Sequence, residues 1–195
     1  MTRPATRRTL RACAPGLALA LAAALPLGLL ATSADAQSAD EKLARGKYLV
    51  TIAGCNDCHT PWKMGDKGPE PDMSRMLSGH PESVALPPAP RLPEGPWVMT
   101  AAATNTAWSG PWGTSFTANL TPDQETGLGK WTQRNFTETI RTGRHMGRGR
   151  AILPPMPWPM YRNFTDADLE AIFGYLQTIP AIVNRVPEPL PPPAK

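Results

Sequence analysis

Cysteine is nearly absent from this sequence: the 195 residues hold three, at positions 13, 55 and 58. So few thiols cannot build a disulfide framework. Long apolar runs are missing as well. The longest, Leu17 to Leu30, has 14 residues, short of the roughly 20 that a membrane helix needs. Histidine occurs three times, with neither a second cysteine pair nor a His-x3-His to complete a structural zinc site. No dinucleotide or flavin fingerprint is present, so any oxidation of an organic substrate belongs to another polypeptide. Proline, in contrast, is abundant. The 24 prolines exceed average usage more than two-fold and predict irregular surface loops rather than a large β-sheet. A chain of this length, 41% apolar, supports one core.

Residues 1–36 have the three-part form of a secretory signal. Arg3, Arg7, Arg8 and Arg11 precede the apolar run, and Ala34-Asp35-Ala36 forms an A-x-A cleavage site. Polar and acidic residues (Ser38, Asp40, Glu41) follow at once, so the expectation is cleavage after Ala36, a mature chain from Gln37, a periplasmic location and no remaining membrane span. The Arg7-Arg8 pair leaves the twin-arginine route open beside the general one. Removing residues 1–36 takes away four arginines and one aspartate, so the formal charge falls from +4 to +1. Nucleic-acid binding loses its compositional support. Cys13 leaves with the signal.

What remains is Cys55-Asn56-Asp57-Cys58-His59. Cys-x-x-Cys-His is the attachment signature of c-type haem. Two thiols three positions apart can each form a thioether with one vinyl group of a porphyrin, while the adjacent imidazole takes the iron. The spacing therefore predicts one covalent haem c on Cys55 and Cys58, with His59 as proximal ligand. A zinc site lacks a fourth ligand, a thioredoxin-like pair lacks its βαβ context, and a bare disulfide leaves His59 unexplained.

Along the chain, the sequence from Asp40 to Ala53 predicts an amphipathic helix, with Asp40 and Glu41 in its first turn and a face of Leu43, Lys47 and Val50 beside Tyr48 and Ile52. Residues 60–118 have no sustained periodicity and read as a long loop insertion. Asn119 to Lys130 is a turn-rich link. Trp131 to Thr142 predicts a short helix capped by Thr132 and stopped at Gly143. Ile152 to Pro159, with four prolines, is not expected to be helical. Thr165-Asp166-Ala167-Asp168 starts a last helix with an apolar face of Leu169, Ile172, Phe173 and Leu176. Gly46 is a candidate for close approach of the first and last helices, near Tyr48 and Tyr175. Residues 187–195 form an extended, proline-rich tail.

An N-terminal helix, the haem motif, a proline-flanked methionine and a C-terminal helix resemble a class I cytochrome c over most of the mature chain. The stretches NLTPDQETGLGKWT, RTGRHMGRGR and LPPMPWPMY, with TDADLEAIFGYLQTIP, are similar to cytochrome subunits that accept electrons from periplasmic dehydrogenases. The resemblance implies an all-α fold, three to four helices around one haem with long loops, filling residues 37–195 as a single mono-haem domain. It also implies single-electron transfer from a dehydrogenase donor to a respiratory acceptor, without an enzymatic activity of its own; the other reading is a peroxidase-like haem enzyme with an open iron position. Met156, before Pro157 and ahead of the last helix, is the candidate distal ligand, with Met160 next. His80 and His145 are weaker alternatives. Trp131 is a candidate to donate its indole N–H to a haem propionate, and the cluster of Arg141, Arg144, Arg148 and Arg150 reads as propionate partners mixed with a docking surface.

Overall fold

The computed structural model describes residues 28–192. Most of the signal expected over residues 1–36 lies outside the described residues, as does the end of the tail.

The first helix, α1, spans Gly28–Ile52. Asp40 and Glu41 lie well inside it instead of in a first turn. Its buried positions are Gly46, Leu49 and Val50, with Leu43 half-buried. Lys47 points to solvent instead, and Tyr48 and Ile52 are exposed, so the core face is rotated from the one expected. The last helix, α5 (Asp166–Leu176), buries Leu169, Ala171, Ile172 and Leu176 against α1. Gly46 makes this crossing: a Cβ there would lie 2.0 Å from the Ala171 carbonyl oxygen and 2.8 Å from Tyr175 Cβ. Ion pairs Lys42–Glu170 and Arg45–Asp168 flank the contact.

Between these helices run α2 (Cys55–His59), α3 (Gln133–Thr142) and the single turn α4 (Trp158–Tyr161). Thr132 and Asn135 close a reciprocal capping box at the start of α3, and Gly143 ends it; Thr165 caps α5 through the Asp168 amide, as expected for hydroxyl caps. Phe136 of α3 meets Phe173 of α5 with ring centroids 5.4 Å apart. Pro159 is part of α4, so the Ile152 to Pro159 segment is not wholly irregular.

The all-α expectation is wrong. Among the described residues the fold is mixed, with five α-helices and five strands in two small sheets. Both sheets arise in the segment read as an irregular loop. Strands β1 (Trp62–Gly65) and β2 (Gly68–Pro71) form a tight antiparallel hairpin. Strands β3 (Thr100–Ala101), β4 (Ala107–Gly110) and β5 (Gly113–Phe116) form a second antiparallel sheet in that order. These strands have two to four residues and several end in glycine or proline, too short for a period-two pattern to emerge. No helix among the described residues is long and apolar enough to cross a membrane.

Candidate haem site

Gly54, with φ of 69°, turns the chain from α1 into α2, a left-handed conformation that a side chain would oppose. In the following turn Cys55 and Cys58 stand at i and i+3, on one face. Neither is in a disulfide. Burial pushes the Cys55 thiol up to about 11 and the Cys58 thiol up as well, each helped by the Asp57 charge. Such thiols stay protonated at neutral pH, whereas dithiol exchange needs a depressed value. No three His, Cys, Asp or Glu side chains among the described residues converge as they would on a bare metal ion.

His59 is buried. Its Nδ1–H donates to the Ala118 carbonyl at 2.8 Å, which fixes the tautomer and leaves the Nε2 lone pair free. Burial, acting against that hydrogen bond, holds the imidazole below its ordinary value, so it is neutral and competent as a ligand. The β-insert braces the turn: Gly79 N–H donates to the His59 carbonyl at 2.8 Å, and Asn105 Nδ2 donates to the Asp57 carbonyl at 2.8 Å.

Cys55, Cys58 and His59 line a cavity of about 500 Å³, within the usual range for small-molecule sites. Met156 and Trp131 line the same cavity, with Leu128, Phe136, Ile140, Leu169, Ile172 and Leu176 supplying apolar wall. Ser115 Oγ donates to the Pro154 carbonyl at 2.6 Å and so holds the loop that carries Met156. Tyr161 also lines the cavity, its hydroxyl donating to the Ala53 carbonyl; burial, with the nearby thiols, pushes its pKa up to about 12.

Other candidates lie elsewhere. Met160 is 71% exposed and outside the lining. His80 is fully buried, not on the surface, and both ring nitrogens are engaged, with Thr106 Oγ1 at 2.9 Å and the Val84 carbonyl at 3.1 Å. His145 does line the cavity, edge-on to Trp131 at 5.2 Å between centroids. Of the arginine cluster, only Arg150 reaches the lining. Arg141 is spent on the Arg162 and Phe164 carbonyls and Asp166, and Arg144 donates to the Gly149 carbonyl at 3.1 Å. Ser115 and Ala118 were not legible, since each acts through a contact set by tertiary placement.

A cavity walled on one side by Cys-x-x-Cys-His and reached by a loop methionine has the features of a c-type cytochrome, and sequence comparison agrees. The chain is related to the cytochrome c subunits of dehydrogenases. It is 30% identical over 156 residues, 78% of this chain, to the cytochrome c subunit of an alcohol dehydrogenase (quinone) from Gluconobacter oxydans. It is 29% identical over 154 residues, again 78% of the chain, to the gluconate 2-dehydrogenase cytochrome c subunit of Pantoea cypripedii. Over 136 residues, 70% of the chain, it is 26% identical to the fructose dehydrogenase cytochrome subunit of Gluconobacter japonicus. The chain spans about a quarter of the length of these relatives, 25%, 27% and 21% in turn. No family model matches it.

Relatives of this kind imply haem c, and the residues present fit it. The site offers two thiols on one face, a neutral imidazole of fixed tautomer, a thioether, a largely apolar lining, and two arginines, Arg150 and Arg185, among the lining residues.

Proposed function

We propose that residues 37–195 form an exported, periplasmic mono-haem cytochrome that passes single electrons from a dehydrogenase to a downstream respiratory acceptor. The observation that carries this reading is the shared cavity, to which the Cys55 to His59 turn and the Met156 loop both contribute. Cys55 and Cys58 would hold the haem through thioethers, and His59 and Met156 would ligate its iron. When bound, the haem supplies a one-electron iron couple, at a potential that methionine raises relative to bis-histidine ligation.

The chain's own residues do the rest. Ala118 orients His59, Ser115 holds the Met156 loop, and the apolar lining excludes water, which favours the less charged, reduced state. The names of these three relatives, each a cytochrome subunit of a dehydrogenase, support a redox protein as the electron donor.

Near-infrared spectroscopy of the ferric, haem-loaded protein tests the axial pair. The weak sulfur-to-iron band is expected in the wild type and in Met160→Ala, and absent in Met156→Ala. Survival of the band in Met156→Ala would remove that residue from the iron. A five-coordinate wild-type iron that turns over peroxide rapidly would replace the carrier by a haem enzyme.

A further inference from the structure

The segment after α5 crosses the cavity as a strap. At its start Asn184, buried, donates from Nδ2 to the Ser78 and His80 carbonyls at 2.7 and 2.9 Å, and its Oδ1 accepts from Glu82 N–H at 2.9 Å. Asn119 Nδ2 donates to the Ile182 carbonyl at 2.8 Å just upstream. At the other end Leu190 and Thr114 exchange two backbone hydrogen bonds of 2.9 Å. Between these pins all of residues 185–189 line the cavity, and Pro187 and Pro189 limit how far the span can relax.

Four charged residues line the cavity: Glu125, Arg150, Arg185 and Glu188. Glu125 is paired with Lys130, and Glu188 forms an ion pair with Arg150, Nε to Oε2 at 3.4 Å. The Arg185 guanidinium makes no ion pair among the described residues, although it acts on Asp123 through space. A haem carries two carboxylates on one edge, and a carboxylate brought into such a wall needs a paired cation to offset its desolvation cost.

We infer that the strap is the acid-binding wall of the haem site, with Arg185, supported by Arg150, pairing with the haem propionates. The inference rests on the cytochrome reading above. A guanidinium fork matches a carboxylate in two parallel hydrogen bonds, which an exposed lysine pairs with only as a point charge. Glu188 holds Arg150 beside the strap, so the two arginines reach the cavity lining from different segments of the chain.

The test uses the haem-loaded, exported protein, checked for covalent haem by staining after denaturing electrophoresis, and then titrated potentiometrically. Arg185→Gln removes a cation that favours the added electron, so its midpoint potential is expected to fall, while Arg185→Lys retains most of the wild-type value and Asn184→Ala, which frees the strap, moves in the same direction as Arg185→Gln. An unchanged potential in a haem-loaded Arg185→Gln protein would overturn the strap assignment and leave the cytochrome intact. Absence of covalent haem from the wild type would overturn the cytochrome reading itself, and the assignment with it. Should Arg185→Gln not accumulate, the reduced-minus-oxidised infrared spectrum of the wild type still decides. Its propionate bands are expected to shift on labelling arginine isotopically, and bands indifferent to the label would overturn the pairing.

Discussion

The imidazole proposed to bind iron is oriented through its second nitrogen, and in this chain that task falls to a backbone carbonyl, Ala118, far along the sequence from His59. The methionine side is built similarly. Ser115 Oγ reaches the Pro154 carbonyl at 2.6 Å, so Ser115→Ala is expected to cost about 1 kcal/mol of stability, the net value of one hydrogen bond. It should also weaken the near-infrared band on warming more than in the wild type, because the loop carrying Met156 is then less restrained. Chemical denaturation and a temperature series of spectra check both. Replacing Cys55 and Cys58 together by serine is expected to abolish haem retention through acid-organic extraction. The ligand candidates were readable because an attachment motif has fixed spacing and a proline-flanked methionine is locally distinctive. Their supports were not, since Ala118 and Ser115 carry no local pattern and act through contacts that only the folded chain creates.

The helices obey rules that short sequence windows carry. Thr132, Gly143 and Thr165 mark their ends by hydrogen-bonding chemistry available within three or four residues, and those boundaries were legible for that reason. The strands were not, because Trp62–Gly65 and its partners are stabilised by pairing across a turn instead of by alternation along themselves. At the α1–α5 crossing, Gly46→Val is expected to destabilise the protein by at least the 1–3 kcal/mol typical of overpacking, since the new carbons would collide with the Ala171 backbone. A parallel loss of helical circular dichroism and haem absorbance on heating would check it. Turns carry a pH dependence of their own. Ser74 and Lys63 hold the Asp72 carboxyl below its ordinary range, and the Thr126 hydroxyl and amide do the same for Asp123. A depressed carboxylate stabilises the fold above its unfolded value of about 3.9 and ceases to do so as pH falls through the folded value. Denaturant midpoints should therefore begin to decline below about pH 6.5, where the histidines that burial holds neutral, His59 and His80, take up protons in the unfolded chain, and fall further below about pH 4, this last step less steeply in Asp123→Asn.

At the scale of the whole molecule, the chain spans only about a quarter of the longer dehydrogenase cytochrome subunits it resembles, 25% of the alcohol dehydrogenase subunit and 27% of the gluconate 2-dehydrogenase subunit. As a proposed electron carrier it needs a donor, and isolation of the haem-loaded protein from extracts of its native cells at low ionic strength is expected to retain a dehydrogenase that reduces it on addition of substrate. Recovery of the cytochrome alone under those conditions, with no reductase activity in the eluate, would count against a standing complex. The strap adds a constraint on manufacture. Residues 185–189 lie far downstream of the Cys55 to His59 turn in the order of synthesis and export, yet they form part of the same cavity wall. Under the proposed export and haem attachment, that part of the wall is therefore missing until residues 185–189 have emerged, and docking at Asn184 and Leu190 completes it.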